Sequence, residues 1–400
     1  MKRTTRILLG AGVGCALLGS TEARASIDLA GQYDARAVAI GGTGSSYVEN
    51  GASVFLNPAT LDGVKNVSAT VDLSPIGPAL TTPLAGPESS VKSDSSFFPL
   101  FVGGGAFRLS DRIVAGLAVY PTTGFGATYS KAIGGDDFSF ALAQVEVSPA
   151  ASIKIVDGLS FGLGYRFTYT RETAHIPMPL APAPADITLT GTNYFGLHAG
   201  LYYRPTNDTH LAFTYRSRVT ASLSGTNEMG GAKMDATSSF GSPDRFKLGI
   251  SQSLLDKRLL VAADVKYLLY SATNKSADIT TMTPVGAATA PQPLDWKNVF
   301  AVGLGAEYWT LPTFAVRAGY SITQSATPES TASPFTPPPG VLQSVHAGVG
   351  MRLEAVDLDL GGFYMFASTH IAADPNHPTV MPGDYKLSTL LAALSATYHM

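Results

Sequence analysis

The chain has 400 residues, 45% hydrophobic but only 14% charged, with 41 glycines, 26 prolines and one cysteine. A charged fraction well under the usual quarter or so implies extensive burial or contact with lipid, and no apolar run of about eighteen residues follows the N-terminus to make a spanning helix. The formal charge of −3 becomes −6 when four basic residues and one acid leave with residues 1–25, which excludes the basic footprint of a nucleic-acid binder.

Residues 1–25 read as a secretion signal. Lys2, Arg3 and Arg6 form the basic start, Ile7 to Gly19 the apolar core, and Ala23-Arg24-Ala25 a small-x-small cleavage site before Ser26. Cys15 lies inside this segment, and Gly12 stands where lipoprotein processing requires a large aliphatic residue. The mature chain is therefore exported yet without cysteine, so disulfides contribute nothing to its stability.

Residues 26–65 lack any period of two. They carry glycine pairs, a small apolar stretch at "ASVFLNPATLDG" (Ala52 to Gly63) and the break Asn57-Pro58. Pro58 fixes its own φ and pushes Asn57 out of the helical region, and the Asn57 side chain can cap the next turn. Short helices joined by glycine turns are expected here.

From about residue 66 the dominant period is two, the signature of strands with one greasy and one polar side. Fourteen strands are predicted at 66–74, 97–109, 111–130, 137–156, 158–176, 187–204, 208–225, 236–254, 258–275, 295–309, 313–325, 341–354, 357–371 and 385–398. In the seventh, Leu211, Phe213, Tyr215, Val219, Ala221 and Leu223 share one face, opposite Thr214, Arg216, Arg218 and Thr220. In the fifth, parity places Arg171 on the greasy face. In the tenth it places Lys297 on the polar face with Val299, Ala301 and Gly303. Tight turns alternate with long loops rich in Pro, Gly, Ser and Thr, among them Pro75 to Ser96 and Thr226 to Asp235.

These strands are about twice the length usual in a soluble sandwich, and no short fixed repeat suggests a solenoid. An even number of long alternating strands, with short turns at one end and long loops at the other, predicts an all-β fold. It is a 14-stranded antiparallel transmembrane β-barrel, residues 66–400, in the outer membrane of a Gram-negative cell. Its lumen is wider than its own side chains fill, so residues 26–65 are expected to plug it as a hatch with short helices. The last strand alternates up to Tyr398, like the terminal strand that barrel-assembly machinery reads, although His399 and Met400 follow the aromatic residue.

"VFLNPAT" (Val54 to Thr60), "YPTTGFGATY" (Tyr120 to Tyr129), "GLSFGLGYRFTYTR" (Gly158 to Arg171), "AFTYRSRVTASLSG" (Ala212 to Gly225), "SPDRFKLGIS" (Ser242 to Ser251) and "WKNVFAVGLGAEY" (Trp296 to Tyr308) occur in this order. In this series the chain resembles the outer-membrane long-chain fatty acid transporters and their aromatic-hydrocarbon-uptake relatives (FadL-like). Thr60 departs from the Gly that commonly follows their Asn-Pro-Ala motif. The resemblance implies passive uptake of a hydrophobic small molecule, hatch gating, and lateral release into outer-membrane lipid through a kink in the third strand. It implies headgroup binding at Arg171 and Lys297. Arg216 and Arg218 face inward by parity and are further candidates, whose ordinary role is a solvated lumen network. Phe55, Asn57, Pro58 and Ala59 of the hatch motif, with Pro121 and Gly124 of the third strand, are the gating candidates. Pro121 removes a ladder donor, and the nearby glycines permit a bulge.

No spacing of His, Cys, Asp and Glu suits a metal, and "GGTGSS" lacks the lysine of a phosphate loop. No serine, histidine and acid fall into a catalytic pattern. The expectation is a monomeric transporter rather than an enzyme, with no cofactor. The alternative is a structural outer-membrane barrel whose lumen is sealed and which transports nothing.

Overall fold

The computed structural model describes residues 25–26, 33–94, 97–177 and 184–400, the first pair by backbone alone. The expected secretion signal therefore lies almost wholly outside the described residues, as does the centre of the loop after Pro177. Fourteen long strands form the wall: β1 Val67–Thr82, β2 Phe98–Arg108, β3 Ile113–Ile133, β4 Asp136–Val156, β5 Leu159–Tyr165 with Phe167–Ile176, β6 Ala185–Asn193 with Leu197–Tyr203, and β7 Thr209–Arg216 with Val219–Met229. They continue as β8 Ala232–Ser242 with Arg245–Leu254, β9 Leu259–Leu268, β10 Val299–Leu311, β11 Phe314–Gln324, β12 Val341–Arg352, β13 Val356–Ile371 and β14 Gly383–His399. Each pairs antiparallel with its neighbours in sequence, and β14 closes on β1 from Ser68↔His399 to Thr81↔Lys386. Closure satisfies the ladder without an open edge, the condition for a sheet in lipid.

The outward apolar band is continuous around the lower wall. Leu163, Leu201, Phe213, Leu248, Leu304, Leu360 and Leu394 are among its exposed residues. At its upper border the strands carry rings: Tyr165, Phe167, Tyr194, Phe195, Tyr215 and Phe246 touch in pairs, an aromatic girdle at the interface.

Three loop expectations change. β1 runs past its expected end at 74 to Thr82, through Pro75, which faces Pro99 across the ladder. Each proline removes only one donor, and neighbours on both sides hold the strand. Thr226 to Asp235, expected as a long loop, is the tip of a hairpin. β7 reaches Met229 and β8 starts at Ala232, with Gly230 (φ 58°) and Gly231 (φ 81°) supplying the two positive-φ turn positions that a tight hairpin requires. β10 begins at Val299 rather than 295, because the Asp295 and Trp296 N–H groups donate to Lys275 O and Asn274 O and that of Lys297 to Ala326 O; a hairpin of Ile279–Thr283 and Gly286–Ala290 precedes them.

Alternation is not continuous along every strand. In β7 the buried inward residues are Ala212, Thr214 and Arg216 below, but Val219, Ala221 and Leu223 above. The two residues between them, Ser217 and Arg218, leave the ladder and shift the parity by one. The same reversal occurs in β3 at Thr122, in β6 at Tyr194–Phe195 and in β8 at Pro243–Asp244. Such bulges insert an unpaired residue and reverse which face looks in. Above them the outward residues are Thr188, Thr220, Ser222, Thr237 and Ser239, all exposed. Val219, Ala221 and Leu223, expected to face lipid, therefore face the lumen.

Residues 33–65 fill the lower lumen. α1 (Ala35–Ala39) is capped by the Asp34 side chain, which accepts from the Ala37 N–H at 2.9 Å. α2 (Ser53–Leu56) leads into Asn57 and a 3₁₀ turn, Pro58–Gly63. The segment sits against inward-facing glycines of the wall. A methyl group added at Gly200 would collide with Asn57 Oδ1, at Gly162 with the Pro58–Ala59 backbone, and at Gly249 with Ser45. Only a glycine lets the two backbones approach so closely.

Candidate ligand pocket and lateral gap

The segment in the lower lumen is held by buried charge. Glu307 accepts from Arg36 of α1 (Nη2 2.7 Å, Nε 2.8 Å), from Arg317 Nε (2.7 Å) and from the Trp309 indole (3.1 Å). Asp264 accepts from Ser45 Oγ at 2.8 Å and lies 3.8 Å from Lys247 Nζ. Asp62 accepts from Ser160 (2.8 Å) and Arg204 (3.2 Å). Asn57 donates to Ser45 O (2.8 Å) and to Leu201 O of β6 (3.3 Å), while its own Oδ1 accepts from the Ala59 N–H (3.0 Å). His346 bonds the Val38 carbonyl through Nδ1 at 2.7 Å.

Above this floor the lumen becomes apolar. Phe125, Leu142, Leu189, Leu223, Phe240 and Trp296 form one buried cluster with Ala174, Tyr270 and Val299. Phe125 is its hub, with ring centroids 5.5 Å from Phe140, 5.5 Å from Phe240 and 5.6 Å from Trp296. The bulges of β3, β6, β7 and β8 turn Phe125, Leu189, Leu223 and Phe240 inward. Over the cluster lies a cavity of about 140 Å³, lined by Phe125, Phe138, Phe140, Ala174, Ile176, Ile279, Leu294 and Phe335 together with the polar Ser139, Gln292, Ser333 and Thr336. An engineered apolar cavity of about 150 Å³ accepts benzene, so the volume suits a single ring.

The wall opens beside this cluster. β2 and β3 pair only from Gly103↔Val119 to Arg108↔Val114, so Phe98 to Val102 have no ladder partner on β3. β3 leaves at Tyr120, skips Thr122 against β4, and rejoins higher up, where the Asp94 N–H donates to Thr128 O at 2.8 Å. Ala25 and Ser26 pair with Phe125 and Gly124 in this interval.

Each expected site residue can now be placed. Phe55 is buried, its ring 5.0 Å from Tyr120. Asn57, Pro58 and Ala59 are buried between Ser45, Gly162 and Gly200. Pro121 and Gly124 flank the β3 bulge. Arg171 takes the outward parity, between inward Thr170 and Glu172. Arg216 is inward and buried, but its Nη2 is 2.5 Å from Glu146, which also pairs with Arg166 and accepts from Tyr120. This network ties the wall together beneath the pocket. Two orientations are corrected. Arg218 faces outward with a 59% exposed side chain, 3.6 Å from Asp244, because it sits in the β7 bulge. Lys297 precedes β10 and is exposed; it lines a separate cavity of about 700 Å³ among the outer loops, with Glu329, Asp374 and His377. There a hydrogen bond from His377 (2.8 Å), then the Asn376 N–H, holds the Asp374 carboxyl below its usual range.

Sequence reasoning missed Phe125, Phe240, Trp296 and Glu172. Glu172 was the legible one, the acid at an inward position of "TYTRETAH".

Residues 17–400 match the model of a family described as "Outer membrane protein transport protein (OMPP1/FadL/TodX)". The chain belongs to this family of outer-membrane transporters of hydrophobic compounds. Among solved structures, a Pseudomonas aeruginosa FadL homologue superposes with a TM-score of 0.78 at 18% identity, over 95% of this chain and all of its own. The Pseudomonas putida toluene transporter TodX gives 0.71 at 19%, over 93% of this chain and 99% of its own. The Ralstonia pickettii toluene transporter TbuX gives 0.70 at 17%, over 92% and 98%. At such identities the likeness speaks to fold alone. No curated protein sequence matches.

Proposed function

We propose that this chain takes up small, ring-sized hydrophobic molecules across a Gram-negative outer membrane and releases them sideways into lipid. The observation that carries the reading is Phe125. One residue is the hub of the buried apolar cluster, a wall of the cavity above it, and a member of the β3 stretch that lies unpaired against β2. A hydrophobic ligand in that cluster meets two ways out. Downward lie Asn57-Pro58-Ala59 and the paired charges of Glu146, Glu307 and Asp264. Sideways lies an interval where β3 makes no ladder pairs with β2 and, on that side, only Ala25 and Ser26 pair with Phe125 and Gly124. The lateral route also suits the ligand, which keeps roughly 0.8 kcal/mol per buried CH₂ in the bilayer and forfeits it in periplasmic water. The toluene transporters that share the fold support a monoaromatic ligand size. In this scheme Phe55, Asn57, Pro58 and Ala59 keep the floor shut, while Pro121 and Gly124 shape the exit.

Deleting Thr122 tests the exit. It removes the one residue that β3 skips against β4, so Pro121 and Thr123 become consecutive and the alternation that points Phe125 inward is kept. Uptake of labelled toluene by whole cells is expected to fall at least tenfold, while the purified variant retains the heat-dependent gel shift of a folded barrel. Uptake at the normal rate through the straightened strand would sink the lateral route.

A further inference from the structure

Glu172 differs from the other acids buried in the lumen. Glu146, Glu307, Asp264 and Asp62 each accept from cations or hydroxyl groups. Glu172 is 1% exposed, yet among the described residues neither of its carboxyl oxygens has a hydrogen-bond partner. Its ladder neighbours are Leu142 on β4 and Leu189 on β6, both fully buried members of the apolar cluster. Ala174, the next inward residue above it, lines the cavity of about 140 Å³. One rung below, Thr170 is already engaged by the Gln144 amide at 3.0 Å. A second polar group in the cluster is also idle: the Trp296 indole N–H has no acceptor among the described residues.

A buried polar group without a partner is costly, and in a pocket with apolar walls a few such groups are what fix the orientation and identity of a ligand. Resting on the uptake reading above, we propose that Glu172, in the apolar cluster beneath this cavity, is the polar contact for a ligand that enters the cluster and that its ligands are neutral, ring-sized apolar molecules carrying a hydroxyl group, a phenol being the type. A hydroxyl group can donate to the carboxyl group and accept from an N–H. A carboxylate ligand would set two acids against each other. An ammonium ligand would sit above Arg166 and Arg216, two guanidinium groups sharing the single carboxylate of Glu146.

The test uses the full-length protein in detergent. Trp296 lies in the cluster, so quenching of its fluorescence reports occupancy. Toluene, p-cresol and 4-methylbenzylamine share a ring and a methyl group and differ in one polar substituent. Wild type is expected to bind p-cresol about tenfold more tightly than toluene, the order of one hydrogen bond to a buried acceptor. Glu172→Leu should bind the two equally, with toluene affinity within about threefold of wild type, and Glu172→Gln, which keeps an acceptor, should retain part of the preference. Equal binding of toluene and p-cresol by wild type, tightest binding of the amine, or a p-cresol preference that survives in Glu172→Leu would overturn the assignment of Glu172 and leave hydrophobic uptake standing. Failure of wild type to bind either neutral ring would instead remove the uptake reading on which it rests.

Discussion

Replacing Asn57 should loosen the floor of the lumen without dismantling the wall. Its side chain is fully buried and makes three hydrogen bonds: donation to Ser45 O at 2.8 Å and Leu201 O at 3.3 Å, and acceptance from the Ala59 N–H at 3.0 Å. Asn57→Ala deletes all three and leaves their backbone partners in a site that Gly200 and Pro58 keep tight. At about 1 kcal/mol each the loss is roughly 3 kcal/mol in the anchoring of residues 33–65. Asn57→Asp keeps the acceptor for Ala59 but turns an acid toward two carbonyl oxygens, so it should be worse than alanine. Conductance in planar bilayers is the direct assay, with the temperature of the gel shift reporting on the wall. The expected order of leak is wild type, then alanine, then aspartate, with wall stability changed much less than conductance. If both variants are as quiet as wild type, or if aspartate leaks less than alanine, the anchoring role of these bonds is wrong.

Three further outcomes follow from other contacts. Glu307→Gln leaves Arg36 and Arg317 facing a neutral amide in a buried site, and should cost about 3–5 kcal/mol of thermal stability; Arg36→Met, which removes only the partner from α1, should raise conductance with a smaller stability loss. Asp244 accepts from Tyr215 OH (2.7 Å) and the Arg218 N–H (3.0 Å), pinning the β7 and β8 bulges together; Asp244→Ala should cost about 2 kcal/mol of unfolding stability and weaken toluene binding in the same protein. Lys297 lies among the outer loops, so Lys297→Ala should leave the affinities for a fatty acid and its methyl ester within twofold of wild type; a selective loss of the acid would return Lys297 to the pocket.

The strand count, closure and outward apolar band were legible because a period of two is written residue by residue. The bulges were legible only in part. "SPDR" in β8 carries a proline, and "YPTTG" in β3 carries both proline and glycine. "YRSRVTASL" alternates smoothly through Ser217 and Arg218, and nothing local says that the register slips there. That slip decided Arg218, Val219, Ala221 and Leu223 together. Lys297 failed for a different reason: parity was counted from 295, whereas residues 295–297 bond the backbone of Lys275, Asn274 and Ala326 and the strand starts at Val299. The glycines of β5, β6 and β8 read as ordinary polar-face residues, since the segment that leans on Gly162, Gly200 and Gly249 is distant in sequence.

The bulges also explain why a pocket exists at this height. β3 and β4 are 21 residues each, about 70 Å of chain at 3.4 Å per residue, and even strongly tilted they outrun an apolar band about 25 Å tall. Were alternation unbroken in β3, β6, β7 and β8, Phe125, Leu189, Leu223 and Phe240 would point out of the barrel and their polar neighbours into the lumen. One slipped residue in β3, β6, β7 and β8 exchanges the faces, so the level at which the wall leaves lipid is the level at which the lumen turns apolar. β4 and β5 keep their parity throughout, with Gln144 and Glu146 on one and Thr168, Thr170 and Glu172 on the other still pointing in. The slipped strands thus add Phe125, Leu189, Leu223 and Phe240 to the apolar wall that Leu142 and Ala174 of the unslipped strands begin, and those unslipped strands also carry Gln144, Thr170 and Glu172. Glu172, flanked by Leu142 and Leu189, is the highest of these unslipped polar residues and the nearest of them to Ala174, which lines the cavity.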